Sequence, residues 1–537
     1  MKMKRIISML LVTIMALGLL TGCGDKKTDV EAMPEGTVTL TVGIPQSSAI
    51  NDYDNNAFTA YLEETSNVDI EFVYFSSSQA EYTQQLSLMC GAGDTLPDVI
   101  VGFAFEHYTV NQYGEDGYFI DLTDYIEEYA PNYKKMLKEL DDETVEYVTE
   151  KGKNTNNHAY YGMPRVLCQA IDDLQSLMYI NQSWLTKLGL PIPKTLDELR
   201  STLQAFKTKD PNGNGEADEI PILGKDGIVN YILNSFILYD VADFNVTDGK
   251  VWDPVKTDEF RQGIIYANQL MKDGLYDKMS FSLASTAEFK ALISPKDAPS
   301  KVGIFVGNHE VYTNPATNAL DEFVALPALE DSTGKGGYTV VKPRGVAWTG
   351  FITKDCAYPA AAMKFLDTWY MDETITRQRF GEKGVDWLEE KGKSEFDTDC
   401  YAKVVNSEAF FSGTSTWGAN VLGILTHHNY LTVAEEGEGR IAQASRLLGE
   451  QWDIIQNAKR PKEVAVDLVY TTEEYEVREE KANAVSEYIT QEVAYFVTGE
   501  KDPNNDAQWD EFLKTLDSLG RPELMKICQA AYDRQQK

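Results

Sequence analysis

Between residues 37 and 101, short β-type segments alternate with helical ones. Residues 37–44 (TVTLTVGI), 68–75 (VDIEFVYF) and 97–101 (PDVIV) have the alternating or continuous apolar patterns of strands. Residues 57–64 and about 79–89, which lie between them, have the spacing of helices. A βαβαβ succession of this kind predicts a mostly parallel sheet with helices on both faces. Its ligand site is expected at the carboxyl ends of the strands.

The length of the chain favours more than one core. It has 537 residues, of which 43% are hydrophobic, so two lobes or one large two-lobed domain is expected. The 84 acidic residues outnumber the 49 Lys and Arg residues, giving a formal net charge of -35. Because binding to nucleic acid needs a basic surface, we expect no nucleic-acid partner.

The first 22 residues have the pattern of a bacterial lipoprotein signal peptide. Residues 2–5 carry three basic side chains, residues 6–20 are apolar and uncharged, and the run ends in Leu20-Thr21-Gly22-Cys23. This end resembles the lipobox, which implies cleavage before Cys23 and acylation of its thiol. Residues 23–36 are then a lipid-anchored tether, and the protein is expected on the outer face of the cytoplasmic membrane. No later stretch reaches about 18 uninterrupted apolar residues.

The other cysteines do not predict a disulfide framework or a zinc site. They are five in number, without a CxxC pair or regular spacing. We expect each to be a small buried apolar side chain. They are Cys90, Cys168, Cys356, Cys400 and Cys528.

Residues 210–219 (DPNGNGEADE) have the pattern of a calcium-binding loop. Oxygen-bearing side chains stand at loop positions 1, 3, 5 and 9, and Gly215 stands at position 6, where such a loop turns sharply. Position 12 is Pro221 and not the glutamate of an EF-hand, so Asp218 and Glu219 must complete the shell. An ordinary Asx-rich turn is the alternative. The predicted ligands, for a structural calcium ion, are Asp210, Asn212, Asn214, Asp218 and Glu219.

A series of short motifs, in the same order along the chain, resembles the family 1 extracellular solute-binding proteins of bacterial ABC importers. The resemblance extends from about residue 38 to residue 534 and is greatest to the group that includes alginate-oligosaccharide binders. That group also implies the backbone carbonyl of Glu216 as a calcium ligand. The motifs include LSLM (86–89), LPDV (96–99), GYFIDL (117–122), YGMP (161–164), YINQSWL (179–185), PKTLDEL (193–199), VGIF (302–305), YPAAAMKFLD (358–367) and GEKGVDW (381–387).

The resemblance implies an α/β, two-lobed, periplasmic-binding-protein-like fold of type II, with hinge-linked lobes and extra C-terminal helices. We expect the chain to cross between lobes near residues 161–165, 326–329 and 384–387. Residues 441–456, 481–497 and 506–519 have the periodicity of helices. The predicted division is residues 37–162 plus 326–385 for lobe 1, residues 163–325 plus 386–434 for lobe 2, and residues 435–537 for C-terminal helices that pack on the lobes.

The resemblance also implies that a solute, most simply an oligosaccharide, binds in the cleft and is passed to permease subunits by a monomeric binding protein. Sugars offer flat apolar faces and many hydroxyls, so a sugar site needs aromatic platforms and planar polar side chains. Trp417, which lies in the polar segment 412–420, is the foremost candidate. The full set is Gln46, Phe103, Tyr161, Arg165, Asn308, Glu310, Trp348, Trp387 and Trp417.

Two other functions remain open at this point. A carbohydrate-active enzyme needs a pair of carboxylates, and 84 acidic residues leave room for one, but the sequence has no HExxH, GxSxG or phosphate-binding loop. A ligand-sensing lipoprotein that reports to a signalling system would have the same sequence features. The charge of the sugar also stays open, because Arg165, Lys342 and Arg344 could pair with an acidic one.

Overall fold

The computed structural model describes residues 30–536, apart from 48–49, 155, 168–177, 225, 241–243, 284, 308–316, 318, 332, 340–344, 407–412, 419–420 and 435–439. The predicted signal peptide and Cys23 therefore lie outside the described residues. The strands are β1 (Val38–Pro45), β2 (Val68–Phe75), β3 (Val99–Phe105), β4 (Met163–Leu167), β5 (Met178–Asn181), β6 (Ile220–Leu223), β7 (Asn245–Thr247), β8 (Lys250–Trp252), β9 (Val302–Val306), β10 (Phe323–Ala325), β11 (Gly345–Ile352), β12 (Trp387–Lys393), β13 (Asp399–Val404) and β14 (Gly423–Leu425).

Helices connect many of these strands and continue beyond the last one. The α-helices are α1 (Ala57–Ser66), α2 (Gln79–Ala92), α3 (His107–Glu115), α4 (Thr123–Tyr129), α5 (Pro131–Met136), α6 (Asp142–Glu146), α7 (Gln182–Leu188), α8 (Leu196–Thr208), α9 (Asp226–Leu233), α10 (Asp258–Lys272), α11 (Thr286–Ile293), α12 (Pro359–Thr368), α13 (Asp372–Phe380), α14 (His427–Tyr430), α15 (Arg440–Asn457), α16 (Thr472–Thr498), α17 (Asp506–Ser518) and α18 (Arg521–Gln535).

The first lobe is built on a six-stranded sheet in the order β14-β4-β11-β3-β1-β2. Strand β1 pairs in parallel with β2 and with β3, which confirms the βαβαβ unit read from residues 37–101. Strand β3 extends to Phe105, four residues beyond the predicted end, so its carboxyl end leads directly into α3. Strand β11 runs antiparallel to β3 and β4.

The second lobe is built on a four-stranded sheet in the order β10-β5-β9-β6. Its main core joins this sheet to α7–α10 and to the last three helices, whose side chains Ile489, Phe496, Phe512 and Leu524 lie in the same apolar cluster. The C-terminal helices therefore complete the core of the second lobe. Helix α16 begins nine residues before the predicted segment, at a capping box formed by Thr471 and Glu474.

The predicted division into lobes needs correction in three places. Strand β4 and strand β14 belong to the first sheet, where they pair in parallel, and Phe396 lies in the first lobe's core. Residues 163–167 and the described residues between 386 and 434 therefore belong to lobe 1, and no crossing occurs at 384–387. Leu326 and Leu329 lie in the second lobe's core, so the return to lobe 1 comes after them.

Helix α15 contacts both lobes. Its Leu447 packs in the second lobe, where Gln451 also donates to the carbonyl of Met178 at 3.0 Å. On the first lobe, the Trp452 ring stacks on Phe396 with the centroids 4.9 Å apart. This helix thus spans the junction between the two lobes.

Candidate ligand-binding site

A cavity of about 340 Å³ lies between the two lobes. One wall comes from the first lobe, from the start of α3 and from strand β11. The opposite wall comes from the segment 465–470 and from helices α16 and α18. Its lining residues include Glu106, His107, Tyr108, Tyr147, Lys151, Phe244, Val346, Trp348, Asp467, Tyr470, Tyr475, Arg478, Ile527 and Cys528.

Two contacts close one side of this interlobe pocket. The rings of Tyr108 and Tyr475 stack with their centroids 4.1 Å apart and an angle of 22° between their planes. Nearby, Nη1 of Arg478 lies 3.4 Å from Oε2 of Glu106. The guanidinium carbon of Arg478 also lies 5.5 Å from the ring centroid of Tyr470. Because Glu106 and Tyr108 follow β3 whereas Tyr475 and Arg478 are on α16, both contacts join the lobes.

Trp348 forms part of the first lobe's wall. It lies on β11 where the register with β3 and β4 shifts, and only 3% of its surface is exposed. Its ring centroid is 5.3 Å from that of His107. The edge of the Trp348 ring packs directly against Gly152, where an added Cβ would lie only 2.9 Å from Cζ2 of Trp348. The indole ring can therefore occupy this place because residue 152 has no side chain.

His107 is held in the pocket wall as a largely neutral group. Burial lowers its pKa, although hydrogen bonds with the carbonyls of Lys153 and Gly152 oppose the shift. Its Nε2 lies 3.2 Å from the carbonyl oxygen of Lys153. Burial, and then the negative charge of Glu106, raises the pKa of Tyr475. Tyr475 thus stays a neutral phenol in the pocket wall.

The predicted ligand-binding residues lie in different environments. Trp348 lies in the interlobe pocket. Gln46 is exposed just after β1, and Arg165 is half-buried on β4. Tyr161 is buried, and its hydroxyl accepts a hydrogen bond from Asn157 at 2.7 Å. Asn308 and Glu310 lie outside the described residues.

The remaining three aromatic candidates are buried away from the interlobe pocket in this structure, and their place in a ligand site stays a prediction. Phe103 packs against Phe75 and Tyr82. Trp387 is fully buried and donates its indole N–H to the carbonyl of Gly381. Trp417 is only 3% exposed and donates its indole N–H to Oγ1 of Thr59 at 2.7 Å. The polar neighbours of Trp417 in the sequence did not reveal this packing.

Several pocket residues were missed from the sequence. Tyr108 lies three residues beyond the carboxyl end of β3, near the position where a ligand site is expected, so the strand pattern was a usable signal. Tyr470, Tyr475 and Arg478 lie in the C-terminal segment, whose periodicity predicted only packing helices. Their approach to the first lobe depends on the arrangement of the lobes, which no local pattern encodes.

The predicted calcium loop joins α8 to β6 and is closed by its own hydrogen bonds. The Asp210 carboxylate accepts from the backbone N–H groups of Gly213 and Gly215 at 2.8 and 3.2 Å. Oδ1 of Asp218 accepts from the side-chain amides of Asn212 and Asn214, both at 3.0 Å.

The donors of this loop suit a hard cation, but their present arrangement is not a formed metal site. Oε1 of Glu219 is buried without a hydrogen-bond partner. Burial, followed by the negative charges of Asp210 and Asp218, raises the pKa of Glu219. However, Lys301 holds the other oxygen of Asp218 at 2.8 Å. Within the described part of the chain, no three His, Cys, Asp or Glu side chains converge into a metal-binding group.

The four cysteines in the described part of the chain form no disulfide with one another. Cys90, Cys400 and Cys528 are buried, Cys356 is half-buried, and all four thiols are free. Cys168 lies outside the described residues. Among the helices that the structure describes, none is long and apolar enough to cross a membrane.

The chain resembles known binding proteins over its whole length. FusA, the fructooligosaccharide ABC transporter substrate-binding protein of Streptococcus pneumoniae serotype 4, is 26% identical over 565 aligned residues, which cover 100% of this chain and 99% of FusA. YtcQ, the polygalacturonan/rhamnogalacturonan-binding protein of Bacillus subtilis, is 26% identical over 342 residues, 61% of this chain and 62% of YtcQ.

Solved structures show the same fold. An EF-hand mutant of S. pneumoniae FusA in complex with fructo-nystose matches with a TM-score of 0.75 at 21% identity, covering 93% of this chain and 99% of FusA. The alginate-binding protein AlgQ2 without calcium ion matches with a TM-score of 0.66 at 21% identity, with coverage of 93% and 99%. These likenesses agree with the two-lobed architecture described above.

A model of the bacterial extracellular solute-binding proteins matches residues 47–374, which is more than half of the chain. The two lobes, the sheet order and the pocket between them fit that assignment. The protein is therefore a member of the bacterial extracellular solute-binding protein family.

Proposed function

We propose that this protein captures an oligosaccharide in the interlobe pocket and presents it to the permease of an ABC importer. The main support for this proposal is the lining of the pocket, where aromatic side chains from both lobes line one cavity. Trp348 and Tyr108 come from the first lobe, and Tyr470 and Tyr475 come from the opposite wall. Aromatic faces cover the apolar faces of sugars, while hydroxyl and charged groups at the rim bind their hydroxyls.

The relatives support the carbohydrate class. The names of FusA, YtcQ and AlgQ2 refer to fructooligosaccharide, to pectic polymers and to alginate. All three ligands are carbohydrates, although they differ in charge and linkage. The proposal for this chain is accordingly an oligosaccharide, and its function is binding and delivery without chemical conversion.

Ligand binding would favour the closed arrangement of the lobes, because a sugar between them contacts both walls only when they approach. Helix α15 is the element about which such a motion would occur, since its two faces pack on different lobes. The permease would then distinguish the loaded protein by the relative position of the lobes.

Isothermal titration calorimetry of residues 24–537 with purified oligosaccharides tests the proposal. We expect a one-to-one complex with at least one oligosaccharide and unchanged ligand recovered afterwards by mass spectrometry. Recovery of shortened products would support an enzyme instead. Uptake of the same sugar should fail when the permease genes are deleted, whereas a sensing protein would leave uptake unchanged.

Calcium is proposed as a structural ion of the 210–219 loop. Its donors would be the side chains of the five predicted residues and the carbonyl of Glu216. The ion would neutralise the carboxylates of Asp210, Asp218 and Glu219, which lie between the end of α8 and the start of β6. The existence of an EF-hand mutant of FusA and of a calcium-free form of AlgQ2 supports this proposal.

The protein is further proposed to be a monomeric lipoprotein anchored through Cys23 on the outer face of the cytoplasmic membrane. The basic start, apolar run and Leu-Thr-Gly-Cys end of the first 23 residues support it. Substitution Cys23→Ala should move the protein from the membrane fraction to the soluble fraction. Unchanged membrane retention of this variant, with no incorporated palmitate in the wild type, would reject the anchor.

A further inference from the structure

Both cations among the described lining residues of the interlobe pocket already have carboxylate partners. Nη1 of Arg478 lies 3.4 Å from Oε2 of Glu106, and Nζ of Lys151 lies 3.8 Å from Oε1 of Glu146. The lining also contains Asp467. The described lining thus carries two cations and two carboxylates, and each cation already has a carboxylate neighbour.

The surroundings of the pocket add further negative charge. The stacked ring of Tyr108 lies close to Glu115, Asp116, Glu476 and Glu479, all of which act on it electrostatically. Two of these, Glu476 and Glu479, are on α16, the helix that carries Tyr475 and Arg478.

Glu115 is a fixed charge within this group. Its Oε1 accepts hydrogen bonds from the side-chain amides of Asn154 and Asn156 at 2.8 and 2.7 Å. These bonds lower the pKa of Glu115, so the carboxylate stays ionised well below neutral pH. The negative charge of Glu115, which acts on the Tyr108 ring in the pocket wall, is therefore present throughout the ordinary pH range.

We propose that the interlobe pocket selects uncharged oligosaccharides and rejects those built from uronic acids. This inference rests on the proposed function and specifies the class of its ligand. A uronate would bring its carboxylate among several carboxylates, and the described lining residues would offer it only cations that already have a carboxylate neighbour. Like charges brought together oppose binding. A neutral sugar loses nothing, since its hydroxyls can donate to Glu106 and Asp467.

The volume of the pocket agrees with a short neutral segment. About 340 Å³ is near the lower end of the range for small-molecule sites, so the cavity accepts only a few sugar units. A carboxylate on so short a ligand would lie near the carboxylates that line the pocket or surround Tyr108.

The test compares each uronate oligosaccharide with its own methyl ester, which has the same skeleton without the charge. The probes are neutral fructo-, gluco- and galacto-oligosaccharides, galacturonate and mannuronate oligosaccharides, and the methyl esters of these two uronates, titrated by calorimetry at low and high salt. We expect a neutral oligosaccharide to bind and each free uronate to bind at least about tenfold more weakly than its ester. High salt should narrow that ratio, because screening weakens the repulsion.

The contribution of the carboxylates near Tyr108 is tested by the double substitution Glu476→Gln and Glu479→Gln. It should reduce the ratio between ester and free acid while leaving the affinity for neutral sugars unchanged. The matched control, Asp510→Asn and Glu511→Gln, removes two exposed charges from α17, which contributes no lining residue, and should not change the ratio. A free uronate that binds as tightly as its ester, or a ratio unaffected by the Glu476 and Glu479 substitutions, would overturn the inference and leave the proposed function standing. If no sugar of the panel binds, the proposed function and this inference both fall.

Discussion

Tyr108 and Tyr475 stack face to face across the junction of the two lobes, with ring centroids 4.1 Å apart. Tyr108 is positioned by the end of β3 in the first lobe, and Tyr475 by the first turn of α16, which is anchored in the second lobe's core. A pair of this kind exists only while the lobes are close together. A change in the relative position of the lobes would therefore change the wall of the pocket at this pair.

Replacement of Tyr108 by alanine should weaken ligand binding without unfolding the protein. The stack is lost, and an aromatic pair contributes about 0.5–1.5 kcal/mol beyond its buried area. We expect the dissociation constant to rise roughly three- to tenfold in calorimetric titration. Since Tyr108 is half-buried at the start of α3, the unfolding temperature should change little.

Tyr108→Phe is the matched control for this substitution. It keeps the ring and removes only the hydroxyl, so its affinity should stay close to that of the wild type. Equal affinities for the alanine variant and the wild type would contradict a role of the stack in the bound state.

Gly152→Ala should displace Trp348 from its place in the pocket wall. The added Cβ would lie 2.9 Å from Cζ2 of Trp348 and 2.6 Å from the carbonyl oxygen of Val148, both inside normal contact. Overpacking of this kind costs about 1–3 kcal/mol of folding stability, and we expect ligand affinity to fall about tenfold in addition. Gly91→Ala is the control, because a Cβ at Gly91 meets no atom within 4 Å. Wild-type affinity in the Gly152 variant would show that Trp348 does not contact the ligand.

The calcium proposal predicts a pH dependence through Glu219. The pKa of Glu219 is raised in the folded, ion-free loop. Its protonated form therefore makes its full contribution to folding stability below the ordinary pKa of 4.5, and this contribution is lost as the pH rises through the raised pKa. Calcium needs the ionised carboxylate and should reverse that loss. Added calcium should therefore raise the unfolding temperature more at about pH 8 than at about pH 5 in scanning calorimetry.

Asp210→Ala should remove the response to calcium and to chelator at both pH values, because the first donor of the loop is lost. Asp502→Ala serves as the control and should retain the response, because the segment 502–506 (DPNND) that leads into α17 has no glycine at which a calcium loop could turn. A wild-type protein whose unfolding temperature is the same in calcium and in chelator would reject the metal site.

Asp253→Ala should strongly destabilise the second lobe. Asp253 holds Arg521 through two hydrogen bonds, Nε to Oδ2 at 3.1 Å and Nη2 to Oδ1 at 3.0 Å, and both side chains are almost completely buried. Removing one partner of a buried pair costs about 3–5 kcal/mol because the other charge is left uncompensated. Urea unfolding measures this loss. Removal of the exposed partner of Lys393, by Asp399→Ala, should leave the midpoint nearly unchanged, and equal effects of the two substitutions would contradict the account.

Local periodicity was sufficient to predict the first βαβαβ unit and three of the C-terminal helices. It did not predict that β14 belongs to the first sheet. This strand has only three residues, Gly423–Leu425, and it joins the sheet by pairing with β4. Such a pairing depends on contacts between distant parts of the chain and leaves no period in the sequence. The boundaries between the lobes were misplaced for the same reason.

The candidate site was predictable only in part. Trp348 could be named because it lies in a segment expected at a strand end, whereas Trp417 was favoured for its polar neighbours and proved to be packed against Phe58 and Phe72. A polar segment can still bury one large ring when its other groups hydrogen-bond around it, as the Thr416 carbonyl does by accepting from Asn56. Tyr475 faces the pocket only because α16 reaches from one lobe to the other.

Small-angle X-ray scattering of the protein with and without its bound oligosaccharide tests the central claim most directly. If the sugar binds between the lobes and holds them together, the radius of gyration should fall when ligand is added, and Tyr108→Ala should require more ligand for the same change. A sugar that binds tightly while the radius of gyration stays constant would contradict capture by closure of the two lobes.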